Sequence, residues 1–457
     1  MNLASLTCLL FAVAAGCSAP AMTARPAIPM PSEFSFTGGE TIPDRWWLAL
    51  DDPTLTALID DALANNPGVR ATWHRLAQAD AALNKQRSAL YPKVDASAGA
   101  GVDGRSNAVG VTTGTSVSLG LAASYEVDLW GRIGATNDVA RLDAEATALD
   151  VMASAITLSS QIAATWYELV ELRADNLILA EQVASAEKTL DMVGKSFERG
   201  LVPRADLLRQ QQRVESIHGE RDQAAARVAL LEHQLAILLG RPPTDRVAAN
   251  VTVLDELPPT PATGLPAQLV SRRPDVARSH LAIRSADRKV AVAIADRFPR
   301  LSLNARLSTS ATSPQKLFSD FVGSLVSNLA APIFDAASRR AEVERARAAL
   351  LERIELYRQA VLAALSEVED ALVREHAQTE LIASLETQLA MTEELLGQAR
   401  EAYAAGMTDY LRVLDAEQTH HSLQRRHLSA RGDLFSIRIS LYRALAGGWE
   451  LENPTAP

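Results

Sequence analysis

Ser124-Tyr125-Glu126-Val127-Asp128-Leu129-Trp130-Gly131-Arg132 is the stretch at which the chain changes its period. Before it, Val117, Leu119, Leu121, Ala123, Tyr125, Val127 and Leu129 alternate with Ser118, Gly120, Ala122, Ser124, Glu126 and Asp128, the pattern of a strand with one apolar face. After it, Leu142, Leu149, Ile156, Ala163, Val170 and Leu177 recur every seventh residue, and Val183, Leu190 and Phe197 resume the spacing after one slip. No proline falls within 133–198, so the spacing predicts about sixty residues of unbroken helix, on the order of 90 Å. A one-faced strand feeding so long a helix points to a membrane β-barrel joined to a helical tube.

The chain is written twice. Asn66-Pro67-Gly68-Val69 and Arg273-Pro274-Asp275-Val276 stand 207 residues apart, as do Tyr91-Pro92 and Phe298-Pro299. Leu238-Leu239-Gly240 and Leu445-Ala446-Gly447 repeat that offset, and Phe197-Glu198-Arg199-Gly200 precedes Tyr403-Ala404-Ala405-Gly406 by 206. Two halves, 46–240 and 267–449, are joined by a Pro-rich linker at 241–266 and followed by a tail, 450–457.

Each half has one order. A moderate helix ends at an aromatic-Pro pair, and a strand follows at about 93–104, then 300–309. A turn-rich loop leads to a return strand at about 115–129, then 321–333. A long helix is expected at 133–198 and again at 338–404, where Ile354, Val361, Val368, Ile382, Leu389, Leu396 and Tyr403 keep the seven-residue spacing and Glu375 alone breaks it. Each long helix stops at a Gly turn, 199–204 and 405–410, before a returning helix. Four strands cannot close a transmembrane barrel, and open edges in lipid cost several kcal/mol per unpaired group, so copies must share one barrel.

Among 457 residues, 45 are basic and 55 acidic, with no basic block, which argues against nucleic acid as a partner. Residues 1–16 have the form of a signal peptide, and Ala15-Gly16-Cys17 resembles a lipobox with Cys17 as the lipidation site. Residues 17–45 then read as a lipid anchor and Pro-rich tether. Cys8 is the other cysteine, so the mature chain has no disulfide. His420, His421 and His427 read as solvated polar residues rather than metal ligands, methionines are unclustered, and Gly194-Lys195-Ser196 lies inside a helix. No nucleophile–His–acid set stands out, so neither an enzyme nor a cofactor is expected.

Trp46-Trp47 with Asp52-Pro53, Tyr125 to Arg132, Arg273-Pro274-Asp275-Val276, Arg297-Phe298-Pro299, Glu367-Val368-Glu369, Tyr403 with Gly406, and Leu441-Tyr442-Arg443 with Gly447-Gly448-Trp449 resemble the TolC-type outer-membrane efflux proteins. The likeness is greatest to the lipoprotein branch serving resistance–nodulation–division pumps. It implies a mainly α chain with a small β part, assembling as a homotrimer. A twelve-stranded transmembrane barrel, four strands per chain, would continue into a periplasmic α-helical coiled-coil barrel. The implied function is a passive, gated exit duct in the outer-membrane lipid, working with a periplasmic adaptor and an inner-membrane pump.

By match to Tyr410-Leu411-Arg412-Val413-Leu414-Asp415-Ala416-Glu417-Gln418, the resemblance assigns Leu411 and Asp415 to the periplasmic constriction. Gln418 stands where relatives often carry Arg. The repeat places Arg209 at the position equivalent to Asp415, and ion pairs between them are expected to hold the mouth closed. The tips, Gly200, Leu201, Val202, Pro203 and Arg204 with Gly406, Met407, Thr408, Asp409 and Tyr410, are expected to contact the adaptor. Two other readings carry the same features less well: an exit for type I protein secretion, and a lipid-anchored periplasmic adaptor without a pore.

Overall fold

The computed structural model describes residues 28–36, 39, 43–107, 110–245, 251–445 and 453. The expected signal peptide, Cys17, Gly447-Gly448-Trp449 and most of the tail lie outside these residues. A 3-10 turn at Trp46–Leu50 precedes α1 (Pro53–Asn65) and α2 (Pro67–Arg87), which lead to β1 (Lys93–Asn107) and β2 (Gly110–Val127). Then come α3 (Arg132–Glu198), α4 (Arg204–Leu238), α5 (Pro266–Arg272) and α6 (Pro274–Ala295). The second half continues with β3 (Arg300–Ala311), β4 (Val322–Ala330), α7 (Ser338–Ala404) and α8 (Tyr410–Leu445). One compact unit holds His74–Asp150 and Asp275–Ala360, and the other holds Pro29–Trp73, Val151–Pro274 and the chain from Val361.

In the first unit the strands form one antiparallel sheet in the order β1-β2-β3-β4. The register puts Ala96, Leu121, Leu307 and Gly323 in one row and Val127, Leu301 and Leu329 in another, so the alternation produces a single apolar face. The expected turn-rich loop at 104–114 is instead ladder: Asp103 pairs with Gly114 and Asn107 with Gly110. Its Gly and Ser residues resemble a loop, but Val111, Thr112 and Thr113 favour a strand. β4 is shorter than the expected 321–333, and all nine of its residues are exposed. Among the described residues no helix is long and apolar enough to cross a membrane.

The change of period has a physical cause. Asp128 accepts from the backbone N–H groups of Ile133 at 3.1 Å and Gly134 at 2.7 Å, capping α3. Gly131 has φ +71°, and Arg132 donates to Glu126 at 2.8 Å. Trp130 stacks on Phe298, with ring centroids 4.8 Å apart, and its indole N–H donates to the Pro299 carbonyl at 2.7 Å. The motif of the first half is thus fastened to the aromatic-Pro pair of the second.

In the second unit, the core gathers Trp46, Trp47, Leu55, Ile59, Ile162, Trp166, Leu235, Phe435 and Tyr442. Asp52 caps α1 through the Leu55 N–H at 2.9 Å and accepts from the Trp166 indole at 2.8 Å. The repeat recurs in the contacts. Asn66 donates to the Leu238 carbonyl at 2.8 Å, and its counterpart Arg273 donates to the Ala444 carbonyl at 3.3 Å, so each half ties its first helices to the end of its returning helix. The heptad seam of α3 keeps the expected Val183, which is buried, but departs from the expected positions on either side of it. Leu179 is buried, whereas Leu177 is 52% exposed and Phe197 37%. An α-helix drifts against a strict seven-residue repeat, and the slip falls where that drift turns Leu177 outward.

Candidate functional site: the hairpin tips and the constriction helix

Both long helices end by the same hydrogen-bonded turn. Gly200 has φ +73° and Gly406 φ +70°, a conformation that disfavours side chains with a Cβ. The Gly200 N–H donates to Phe197 O and the Leu201 N–H to Ser196 O, both at 2.9 Å. The Gly406 N–H donates to Tyr403 O and the Met407 N–H to Ala402 O, again at 2.9 Å, so the tips are equivalent bond for bond. Leu201 is 72% exposed and Met407 77%, while Pro203, Arg204 and Asp409 are also exposed. The Asp409 carboxylate accepts from the Arg412 N–H at 3.3 Å at the start of α8.

Tyr410 departs from its expected place on the tip surface: its side chain is buried. Together with Val193, Leu396, Val413 and Ala416 it forms a small core, against which Val202 packs half-buried. Its hydroxyl donates to Gln210 Oε1 at 3.1 Å, and Gln210 Nε2 donates to the Ala186 carbonyl at 2.8 Å. Burial, then the nearby Glu417, pushes the Tyr410 phenol well above its ordinary pKa. Gln210 is the residue that sequence reasoning missed. Its signal was a polar side chain on the stripe that continues through Val214 and Ile217, both buried.

Leu411, Asp415 and Gln418 lie on one face of α8, spaced by four and three residues, and all three are exposed. The expected Arg209–Asp415 pair is not made within the chain. Arg209 instead reaches Asp206 at 3.3 Å, one turn back on its own helix, where the i,i+3 spacing brings the two together without folding over. Arg400 and Glu417 form an ion pair at 2.6 Å just above the tips. His427 approaches Glu386 at 3.5 Å, and Lys195 pairs with Asp191 inside α3. Among the described residues no group of three or more His, Cys, Asp or Glu could hold a metal ion.

Residues 58–241 and again 265–447 match the outer membrane efflux protein family. The chain is 32% identical over 433 residues to the pyoverdine export outer membrane protein OpmQ of Pseudomonas aeruginosa, covering 89% of this chain and 88% of that protein. It is 27% identical over 446 residues to the cation efflux system protein CusC of Escherichia coli strain K12, covering 95% and 96%. A crystal structure of CusC superposes with a TM-score of 0.83 at 26% identity, over 94% of this chain and all of that one. With both halves matched and both relatives covered nearly end to end, the chain belongs to the outer membrane efflux protein family, as an efflux channel of the outer membrane and not an enzyme.

Proposed function

We propose that three copies of the chain close a twelve-stranded barrel in the outer membrane, and that its helices line a periplasmic duct. The observation that carries this is the open sheet. β1 and β4 each have one unpaired edge, and β4 is exposed on both faces together with Phe318, Phe321, Ile333 and Phe334. An edge of that kind in lipid demands a partner strand, and a neighbouring copy supplies one. Cys17 is the acylated residue that adds an anchor to the barrel.

The periplasmic mouth is closed by Leu411 and Asp415 on α8, with Gln418 one turn above. Arg209 of one copy exchanges Asp206 for Asp415 of a neighbour when the mouth shuts. Such half-exposed pairs are individually worth about 1 kcal/mol or less, which suits a gate that must open. The tips at 200–204 and 406–409 meet a periplasmic adaptor, which links the duct to an inner-membrane pump. The relatives are named for export and efflux, which favours this reading over an exit for type I protein secretion.

Single-channel conductance in planar bilayers tests the gate. Small wild-type conductance that rises in Asp415→Ala supports it. A conducting protein indifferent to that substitution removes the constriction from α8, and a well-folded protein without conductance removes the duct.

A further inference from the structure

A polar cavity of about 560 Å³ lies between α3, α4 and α8, several turns from the tips. Its walls carry four arginines, Arg213, Arg227, Arg425 and Arg426, against three carboxylates, Glu171, Asp175 and Glu220. The apparent balance is misleading, because the charges are unevenly committed. Arg425 holds Asp175 at 2.7 and 3.1 Å and Glu220 at 2.6 Å, so two carboxylates are spent on one guanidinium. Glu171 lies over Gly432 and takes a hydrogen bond from Ser429. Burial, and then Asp433, Glu168 and Asp175, push its carboxyl up to about 7, which removes most of its charge in mildly acidic solution.

Arg213, Arg227 and Arg426 make no ion pair with any described residue. A second observation points the same way. Gln182 is only 4% exposed, lines the same cavity, and its Nε2 donates to no group among the described residues. A buried amide donor beside uncommitted guanidinium groups is the chemistry that receives an oxyanion.

We propose that this cavity binds a small free oxyanion of the phosphate or carboxylate class, held by Gln182 and Arg213 and screened by Arg227 and Arg426. The bound anion joins α8 to the α3–α4 hairpin through charge-assisted hydrogen bonds, and so stiffens the helices above the constriction. The site is independent of the duct reading, since it lies within one chain.

The test is isothermal titration of the purified full-length protein in detergent with inorganic phosphate. It is run against chloride at matched ionic strength, at a pH below the Glu171 midpoint. Saturable heat is expected, with a saturable rise in Tm of roughly 2 °C. Arg213→Gln and Gln182→Met should each abolish the saturable part. Both should retain the gradual, non-saturating rise that phosphate produces by exclusion from any protein surface. Acetate in place of phosphate reads whether a carboxylate suffices. Absence of saturable heat in the wild type overturns the proposal, as does saturable binding that survives both substitutions.

Discussion

Arg438 on α8 and Glu375 on α7 form a two-pronged ion pair with N–O distances of 2.9 and 2.7 Å, and their side chains are only 5% and 6% exposed. Glu375 is the one residue that breaks the seven-residue spacing of the second long helix, and Arg438 is the reason it can. The remaining donors and acceptors are used as well. Arg438 also donates to the Pro258 carbonyl at 2.6 Å, and Glu375 accepts from the Thr260 hydroxyl at 2.6 Å, so the pair fixes the inter-repeat linker against the hairpin.

Removing one partner of this pair should be costly, because the other is left charged and buried. Arg438→Met or Glu375→Gln is expected to destabilise the protein by about 3–5 kcal/mol. Guanidinium unfolding followed by far-UV circular dichroism measures it. The double substitution to Met and Leu should recover a large part of the loss, whereas additive losses would show that the two groups do not act as a pair.

Ala337 has φ +65°, the left-handed conformation that Gly131 adopts at the equivalent place before α3. Alanine there is strained by roughly 1–2 kcal/mol, while glycine is not. Ala337→Gly should therefore stabilise the protein by about 1 kcal/mol or less after the added chain entropy is set against the relieved strain. The reverse change, Gly131→Ala, should destabilise it, and the same unfolding experiment reads both.

Glu171 gives the helical unit a pH dependence of defined sign. Its folded-state pKa of about 7 lies above the ordinary carboxyl value of 4.5, so the folded form favours the proton. The contribution is complete below 4.5, falls as pH rises between the two values, and is lost above about 7. Thermal unfolding between those limits should show wild-type stability declining with pH more steeply than Glu171→Gln, and parallel curves would refute the assignment.

The exposed tips separate docking from folding. Leu201→Asp and Met407→Asp place charges on fully formed, solvated turns and should change unfolding stability by less than about 0.5 kcal/mol. If the tips meet an adaptor, each should nonetheless abolish complementation in cells deleted for their own efflux channel. Retained efflux in both would move the docking surface elsewhere.

Much of this architecture is local and was legible in residues 117–200 alone. Alternation in two encodes a strand face, spacing in seven encodes a helix seam, and a glycine after either long helix encodes its end. Duplication then extended the reading to the second half, where a poorly alternating β4 would not have been recognised by itself. The loop expected at 104–114 was misread because its glycines and serines say nothing about the partner strand that pairs them.

The residues proposed for the gate mark the border between the two kinds of information. Leu411, Asp415 and Gln418 share a helix face, which follows from spacing, and the structure keeps that face exposed. Only tertiary packing turned Tyr410 inward onto Gln210 and supplied Glu375 with Arg438. Periodicity and caps depend on neighbours within a few turns, so the order of residues determines them. The partner of a buried polar group stands tens or hundreds of residues away, and only the packed helices decide which it is.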